Sequence, residues 1–175
     1  MTKAYVLGVD MGTTGSRAIL TDAEGNVAGL GRSSCRVEYP REGWAEQEPR
    51  WWWDSFVEAV REALKNSKID PGSIASLGVA HQRETIVPVD KSGKPLRNAI
   101  LWMDRRAVSQ AKWIESEIGA LKYFEKTGVP PSTGWSISKI LWVKDHQPRI
   151  FERSYKWLLV HDYLVHELTG EYATT

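Results

Sequence analysis

Cysteine is almost missing from this sequence: Cys35 is the only one in 175 residues. No internal disulfide can form, so nothing marks an oxidising compartment. Long apolar runs are missing too. None approaches the roughly 18 residues that a bilayer span requires, and Met1-Thr2-Lys3 leads into a strand pattern with no signal-peptide cleavage site, so a cytoplasmic protein without a membrane partner is expected. An excess of one charge is also lacking, since 23 Lys and Arg face 22 Asp and Glu for a net charge of +1. Such a balance offers no electrostatic footprint for a nucleic acid backbone. There is no internal repeat and no low-complexity linker. What remains is the composition of a folded domain, 42% hydrophobic and 26% charged. Its length suits one domain, or one lobe of a larger protein, and suffices to hide roughly 70% of the unfolded surface.

The local patterns give an ordered series of elements. Ala4 to Val9 is a short apolar run closed by Asp10 and a turn-prone Met11-Gly12-Thr13-Thr14-Gly15, and residues 16–21 resume a strand pattern. A second turn at residues 22–26 leads into a third strand over 27–37, which makes an antiparallel meander. Pro49 occupies a first-turn position, and Trp52, Phe56, Ala59, Val60, Ala63 and Leu64 recur at intervals of three and four, so residues 49–65 read as an amphipathic helix. The run from Ile74 to Ala80 is too continuous for a solvent-faced strand and predicts a central strand reached by a crossover. Residues 85–89 and 98–102 flank a turn and predict an inserted hairpin. Helices follow from Asp104, over 120–126 and over 136–145, then a buried strand over 155–160 and a helix over 163–168. Three meandering strands, a helix, a strand, helices, a strand and a helix form the order of the ribonuclease-H-like fold, an α/β mixed sheet flanked by helices. Nine tryptophans are many, but most fall inside element patterns, where packing explains them.

Two segments can carry chemistry. At Asp10-Met11-Gly12-Thr13-Thr14-Gly15-Ser16-Arg17 a carboxylate ends a strand and precedes a glycine turn with two hydroxyls. Such a turn can hold a metal ion on one side and phosphate oxygens on the other, although a plain β-hairpin turn has the same residue types. His81-Gln82-Arg83-Glu84 ends the crossover strand. There an arginine offers several N–H donors and a glutamate accepts, so together they can grip both sides of a vicinal diol, or they can form an ordinary solvated ion pair. Gly29-Leu30-Gly31-Arg32-Ser33-Ser34 lacks the third glycine of a dinucleotide fingerprint, and no Walker A motif occurs. His81, His146, His161 and His166 lack the spacing of a transition-metal site.

The first segment resembles the first phosphate motif of the FGGY carbohydrate kinases, relatives of actin, hexokinase and the heat-shock chaperone ATPases. Gly43-Trp44-Ala45-Glu46-Gln47-Glu48-Pro49 is similar to the segment before that family's first long helix. Gln82-Arg83-Glu84-Thr85 resembles the substrate motif of its glycerol kinases, Trp102-Met103-Asp104-Arg105-Arg106 its Trp-x-Asp-x-Arg motif, and Lys139-Ile140-Leu141-Trp142 a helix near its sugar pocket. The resemblance runs from Tyr5 to Thr175 and implies an actin/hexokinase-type ATPase fold. It implies that Asp10 faces Mg²⁺ and the transferring phosphoryl group, and that Gly12, Thr13, Thr14, Gly15 and Arg17 approach the phosphates of ATP. Arg83 and Glu84 would hold substrate hydroxyls and Trp102 would form an apolar wall, or be a core tryptophan. Asp104 would be a substrate contact or the N-cap of the helix after it.

Departures from the family pattern divide the expected substrate. Ser132-Thr133-Gly134-Trp135 lacks the tyrosine of glycerol kinases, and Asp104 with residues 158–164 is closer to the ketopentose kinases, so the acceptor is a polyol or ketose such as glycerol or xylulose. The resemblance further implies a second, adenine-binding lobe and a general-base aspartate that the 175 residues do not hold, which makes the chain a truncated amino-terminal domain with feeble turnover of its own. A homo-oligomer is compatible with the family. The rival readings are an actin-like or chaperone-like nucleotide switch, a ribonuclease-H-like nuclease and a non-catalytic association module.

Overall fold

The computed structural model describes residues 5–174, in two compact units. The first holds the chain as far as Val37, Glu48–Gln82 and the stretch from Val160 onward, and the second holds Glu38–Gln47 and Arg83–Leu159.

In the first unit, β1 (Tyr5–Met11), β2 (Gly15–Thr21) and β3 (Val27–Ser34) form the expected antiparallel meander, and β5 (Ile74–His81) adds to β1 in parallel, giving the order β3-β2-β1-β5. Ala4, expected in the first strand, lies outside the described residues. Alternation along β1 and β2 sends Leu7, Val9, Met11, Ala18 and Leu20 to a buried face, where α1 (Pro49–Ser67) covers them with Trp52, Phe56, Ala59 and Ala63. The helix starts with Pro49 in its first turn and stops at Lys68, whose left-handed backbone returns its N–H to Leu64 O. The glycines of β3 serve this packing: a Cβ on Gly31 would stand 2.0 Å from Ala59 O, so only glycine lets the strand lie so near the helix. Near the end of the unit, α6 (Val160–Thr169) sets Tyr163 edge-on against Trp52, ring centroids 5.7 Å apart. The opposite sheet face, with Val6, Arg17, Ile19, Leu30 and Arg32, is exposed.

The second unit is built on β4 (Glu46–Gln47), β6 (Ile86–Val89), β7 (Ala99–Ile100) and β8 (Lys156–Leu159), all antiparallel in the order β4-β7-β6-β8. Helices α2 (Val108–Ile118), α3 (Ala120–Thr127), α4 (Ser136–His146) and α5 (Pro148–Arg153) complete it. Ile100, Ala107, Trp142 and Val143 form its core, with Trp44, Ile150, Phe151 and Trp157 packed around them.

Four expectations are corrected. The apolar run at β5 predicts burial on both sides, but β5 ends the strand order and is largely exposed, because no described strand pairs with its outer edge. Asp104 does not begin a helix: α2 starts at Val108, with Ala107 at the N-cap position. β3 ends at Ser34 rather than Val37, and α6 follows β8 directly at Val160 instead of starting at Tyr163. The two-residue β4 and the short α5 have no periodic signal and were not expected.

Candidate functional site

Each unit contributes one group of the residues singled out above, and each group is built differently. In the first unit the antiparallel register places Asp10 opposite Arg17, and Arg17 Nη1 stands 3.3 Å from Asp10 Oδ2. The side chains are 72% and 49% exposed, so solvent screens the pair and it adds little to stability. It is open to a competing ligand. The turn between the strands is closed by Gly12 N–H donating to Gly15 O at 2.9 Å. Gly15 is required for more than the turn, since a Cβ there would come within 2.3 Å of Ser33 O. Two bonds tie the turn to the end of β5: Gln82 N–H donates to Met11 O at 2.8 Å, and Thr13 Oγ1 donates to Gln82 Oε1 at 3.0 Å. Thr14 O accepts from Cys35 N–H at 2.9 Å while the Thr14 side chain remains exposed. The result is a hydroxyl-bearing turn held at both ends, with a carboxylate and a guanidinium beside it.

Among the described residues no three His, Cys, Asp or Glu side chains gather as metal ligands. Asp10 would therefore hold a cation with fewer than three such side chains from the described residues. That donor set suits Mg²⁺, which commonly keeps water and phosphate oxygens and takes only one or two carboxylates from a protein. The exposed Asp10 carboxylate fits such a role.

In the second unit Glu84 adopts a left-handed backbone, φ 59°, a conformation that a non-glycine residue takes at a cost. Three contacts hold it there. Its Oε2 accepts from Ser136 N–H and Ser136 Oγ, both at 2.8 Å, at the first residue of α4. Its carbonyl accepts from Lys139 Nζ at 2.8 Å, and the same ammonium donates to Gly134 O. Lys139 is completely buried, and burial pulls its pKa down to about 8 against the opposing pull of Glu84 and Asp104. Glu84 in turn helps burial to raise the Tyr123 phenol. Arg83 is exposed and makes no ion pair among the described residues, so it is not the partner of Glu84. Trp102 is 47% exposed, with its backbone N–H on Thr85 Oγ1 at 3.1 Å, and is not a core tryptophan.

Asp104 sits apart from these exposed groups. Its side chain is fully buried; Oδ1 accepts from Arg106 N–H and Nε, and Oδ2 from Ala45 N–H and Arg106 Nη2. Arg106 also reaches Glu46 at 2.7 Å, Arg97 pairs with the same Glu46 oxygen, and the Arg106 guanidinium lies 3.8 Å over the Trp44 ring. All the hydrogen-bonding capacity of Asp104 visible here is spent inside the protein. It caps no helix.

Two participants were not assigned a role from the sequence. Lys139 could have been found, because α4 buries Ser138, Lys139, Trp142 and Val143, which puts a lysine on the core-facing stripe. Gln82 gave no signal of its tie to Thr13, which depends on the parallel pairing of β1 with β5.

Comparisons with known proteins agree with one another. Residues 5–175 match the FGGY family of carbohydrate kinases, N-terminal domain. The glycerol kinase of Thermococcus kodakarensis is 40% identical over 174 residues, which is 97% of this chain and 35% of that protein. Glycerol kinase 2 of Sulfolobus acidocaldarius is 36% identical over 175 residues, again 97% and 35%. The crystal structure of a xyloylose kinase from Brucella ovis superimposes with a TM-score of 0.91 at 31% identity, covering 96% of this chain and 35% of that one. This chain thus spans about a third of the length of these relatives. No described helix is long and apolar enough to cross a membrane. With the mixed α/β architecture of the actin/hexokinase ATPases and the motifs in register, the chain belongs to the FGGY family of carbohydrate kinases and forms their N-terminal domain.

Proposed function

We propose that this domain supplies the acceptor-binding and phosphate-binding parts of an ATP-dependent kinase that phosphorylates a primary hydroxyl of a polyol or ketose, glycerol and xylulose being the leading acceptors. What carries the reading is the contrast at the second group: Arg83 is exposed and unpaired among the described residues, next to a Glu84 whose backbone is held in a costly conformation. A guanidinium beside a carboxylate matches the donors and acceptors of a diol, and half-exposed Trp102 offers an apolar surface for the carbon skeleton.

In this reading Thr13, Thr14, Gly12, Gly15 and Arg17 receive the phosphates of ATP, and Asp10 holds Mg²⁺. The ion, when bound, neutralises charge across the phosphates. Arg17 keeps its guanidinium at the phosphate turn, and Arg83 and Glu84 fix the hydroxyls; phosphoryl transfer of this class works mainly by positioning and charge stabilisation. Asp104, its oxygens taken by Arg106 and Ala45, is a structural residue of the second unit in this reading and not a substrate contact. Cytoplasmic residence is part of the reading, because the reaction draws on ATP.

The test is a thermal melting series of the chain with glycerol, xylulose and other polyols. Arg83→Ala is expected to melt like the parent without ligand and to lose the upward shift that one of the polyols gives the parent. Indifference of the parent to every polyol, together with a shift by ATP, would instead identify a nucleotide switch.

A further inference from the structure

The exposed face of the first unit's sheet carries a row of charges in cross-strand register: Asp10 on β1 faces Arg17 on β2, and Arg17 faces Arg32 on β3. All three lie on the side away from α1, as the alternation with buried Val9, Ala18 and Gly31 requires. Arg17 has a counter-charge in Asp10. Arg32 has none: its backbone N–H donates to Glu62 Oε2, and its guanidinium makes no ion pair among the described residues. Like charges directly opposite one another on neighbouring strands destabilise a sheet. With one carboxylate against two guanidiniums, the row carries an excess positive charge on its outer side.

That excess borders the phosphate turn. Arg17 and Arg32 line a concavity of about 400 Å³ together with Gly12, Thr14, Gly15 and Ser33, so two fork-shaped donors stand beside hydroxyls and turn backbone. Guanidinium groups match phosphate oxygens bidentately, and two of them facing one space suit a ligand with more than one negative charge. This inference rests on the reading of the turn as a phosphate cradle and extends it to a residue outside the motif. We infer that Arg32 is a second phosphate-binding arginine, which with Arg17 takes the oxygens of a polyphosphate lying against the Gly12–Gly15 turn.

The test titrates the 175-residue chain with inorganic tripolyphosphate and with ATP by calorimetry, comparing the parent with Arg32→Gln, Arg32→Lys and Arg17→Gln. Arg32→Gln is expected to weaken tripolyphosphate binding roughly tenfold, the worth of a hydrogen bond to a charged group. It is also expected to flatten the loss of affinity with rising salt, and the same weakening is expected with ATP. Arg32→Lys is expected to fall between, because it keeps the charge and loses the fork. Without ligand, Arg32→Gln is expected to melt no lower than the parent, since it relieves a like-charge pairing. Unchanged affinity in Arg32→Gln alongside a loss in Arg17→Gln would overturn the role of Arg32 and leave the cradle standing. Failure of the parent to bind either compound would overturn both.

Discussion

Thr13 and Gln82, 69 positions apart in the chain, meet through a 3.0 Å hydrogen bond from the threonine hydroxyl to the glutamine side-chain carbonyl. The backbone repeats the connection, Gln82 N–H donating to Met11 O. The turn after β1 is therefore fixed by the parallel strand next to it as well as by its own closure, and under the proposed phosphate-binding role it gains from being set in advance.

Removing that hydroxyl separates its two contributions. Thr13→Val is expected to cost about 0.5–1.5 kcal/mol in urea unfolding, the usual worth of one such bond. It should also weaken tripolyphosphate binding, whereas Thr13→Ser retains both properties. An unfolding midpoint for Thr13→Val equal to that of the parent would show that the bond has no weight.

Lys139 ties the left-handed residue 84 to the segment before α4, and its ammonium is buried. Lys139→Met leaves two carbonyls without that donor, at about 1–3 kcal/mol for each one that stays dry. The cost depends on pH. The folded pKa of Lys139 lies near 8, below its ordinary 10.5, so between these values the unfolded chain binds more protons and this residue's contribution rises with pH. Cys35 and Tyr163, whose folded pKa values are raised to about 11 and about 12, act in the opposite direction in both proteins and cancel in the comparison. The difference in unfolding free energy between parent and Lys139→Met is thus expected to widen in the parent's favour from about pH 8 to 10.5. A flat difference would show that the buried amine titrates normally.

Cys35 is 7% exposed, and burial raises its thiol to about 11 despite the nearby Arg36. Thiolate is the reactive form. Alkylation by iodoacetamide at pH 8 is expected to be slow in the native chain and to reach the rate of a free cysteine in urea. Equal rates in both conditions would contradict this environment.

Much of this was legible in the sequence where one interaction decides the outcome. Pro49 and the spacing of Trp52, Phe56, Ala59 and Ala63 specify α1 locally, and the turn at Gly12–Gly15 is read from residues within one hairpin. The motifs name Asp10, Arg17, Arg83 and Glu84 as candidate site residues from sequence alone. What could not be read depends on partners distant in the chain. Asp104 has the composition of a helix N-cap, yet its oxygens are taken by Ala45 and Arg106, and the first of these comes from 59 residues upstream. The exposure of β5 likewise follows from its place at the end of a strand order, which apolar content does not encode. The like-charge pairing of Arg17 with Arg32 exists only through the register of β2 on β3.

The buried charges beside Trp44 and Trp142 leave a mark on how this domain can vary. Glu46, Asp104, Arg97 and Arg106 amount to two anions and two cations with almost no access to water. Losing any single one strands an uncompensated charge in the interior, whereas exchanging an oppositely charged pair for apolar residues of similar volume can be neutral or stabilising. These four positions are accordingly bound to drift in concert, so a lineage that departs at one of them should show a matching departure at another.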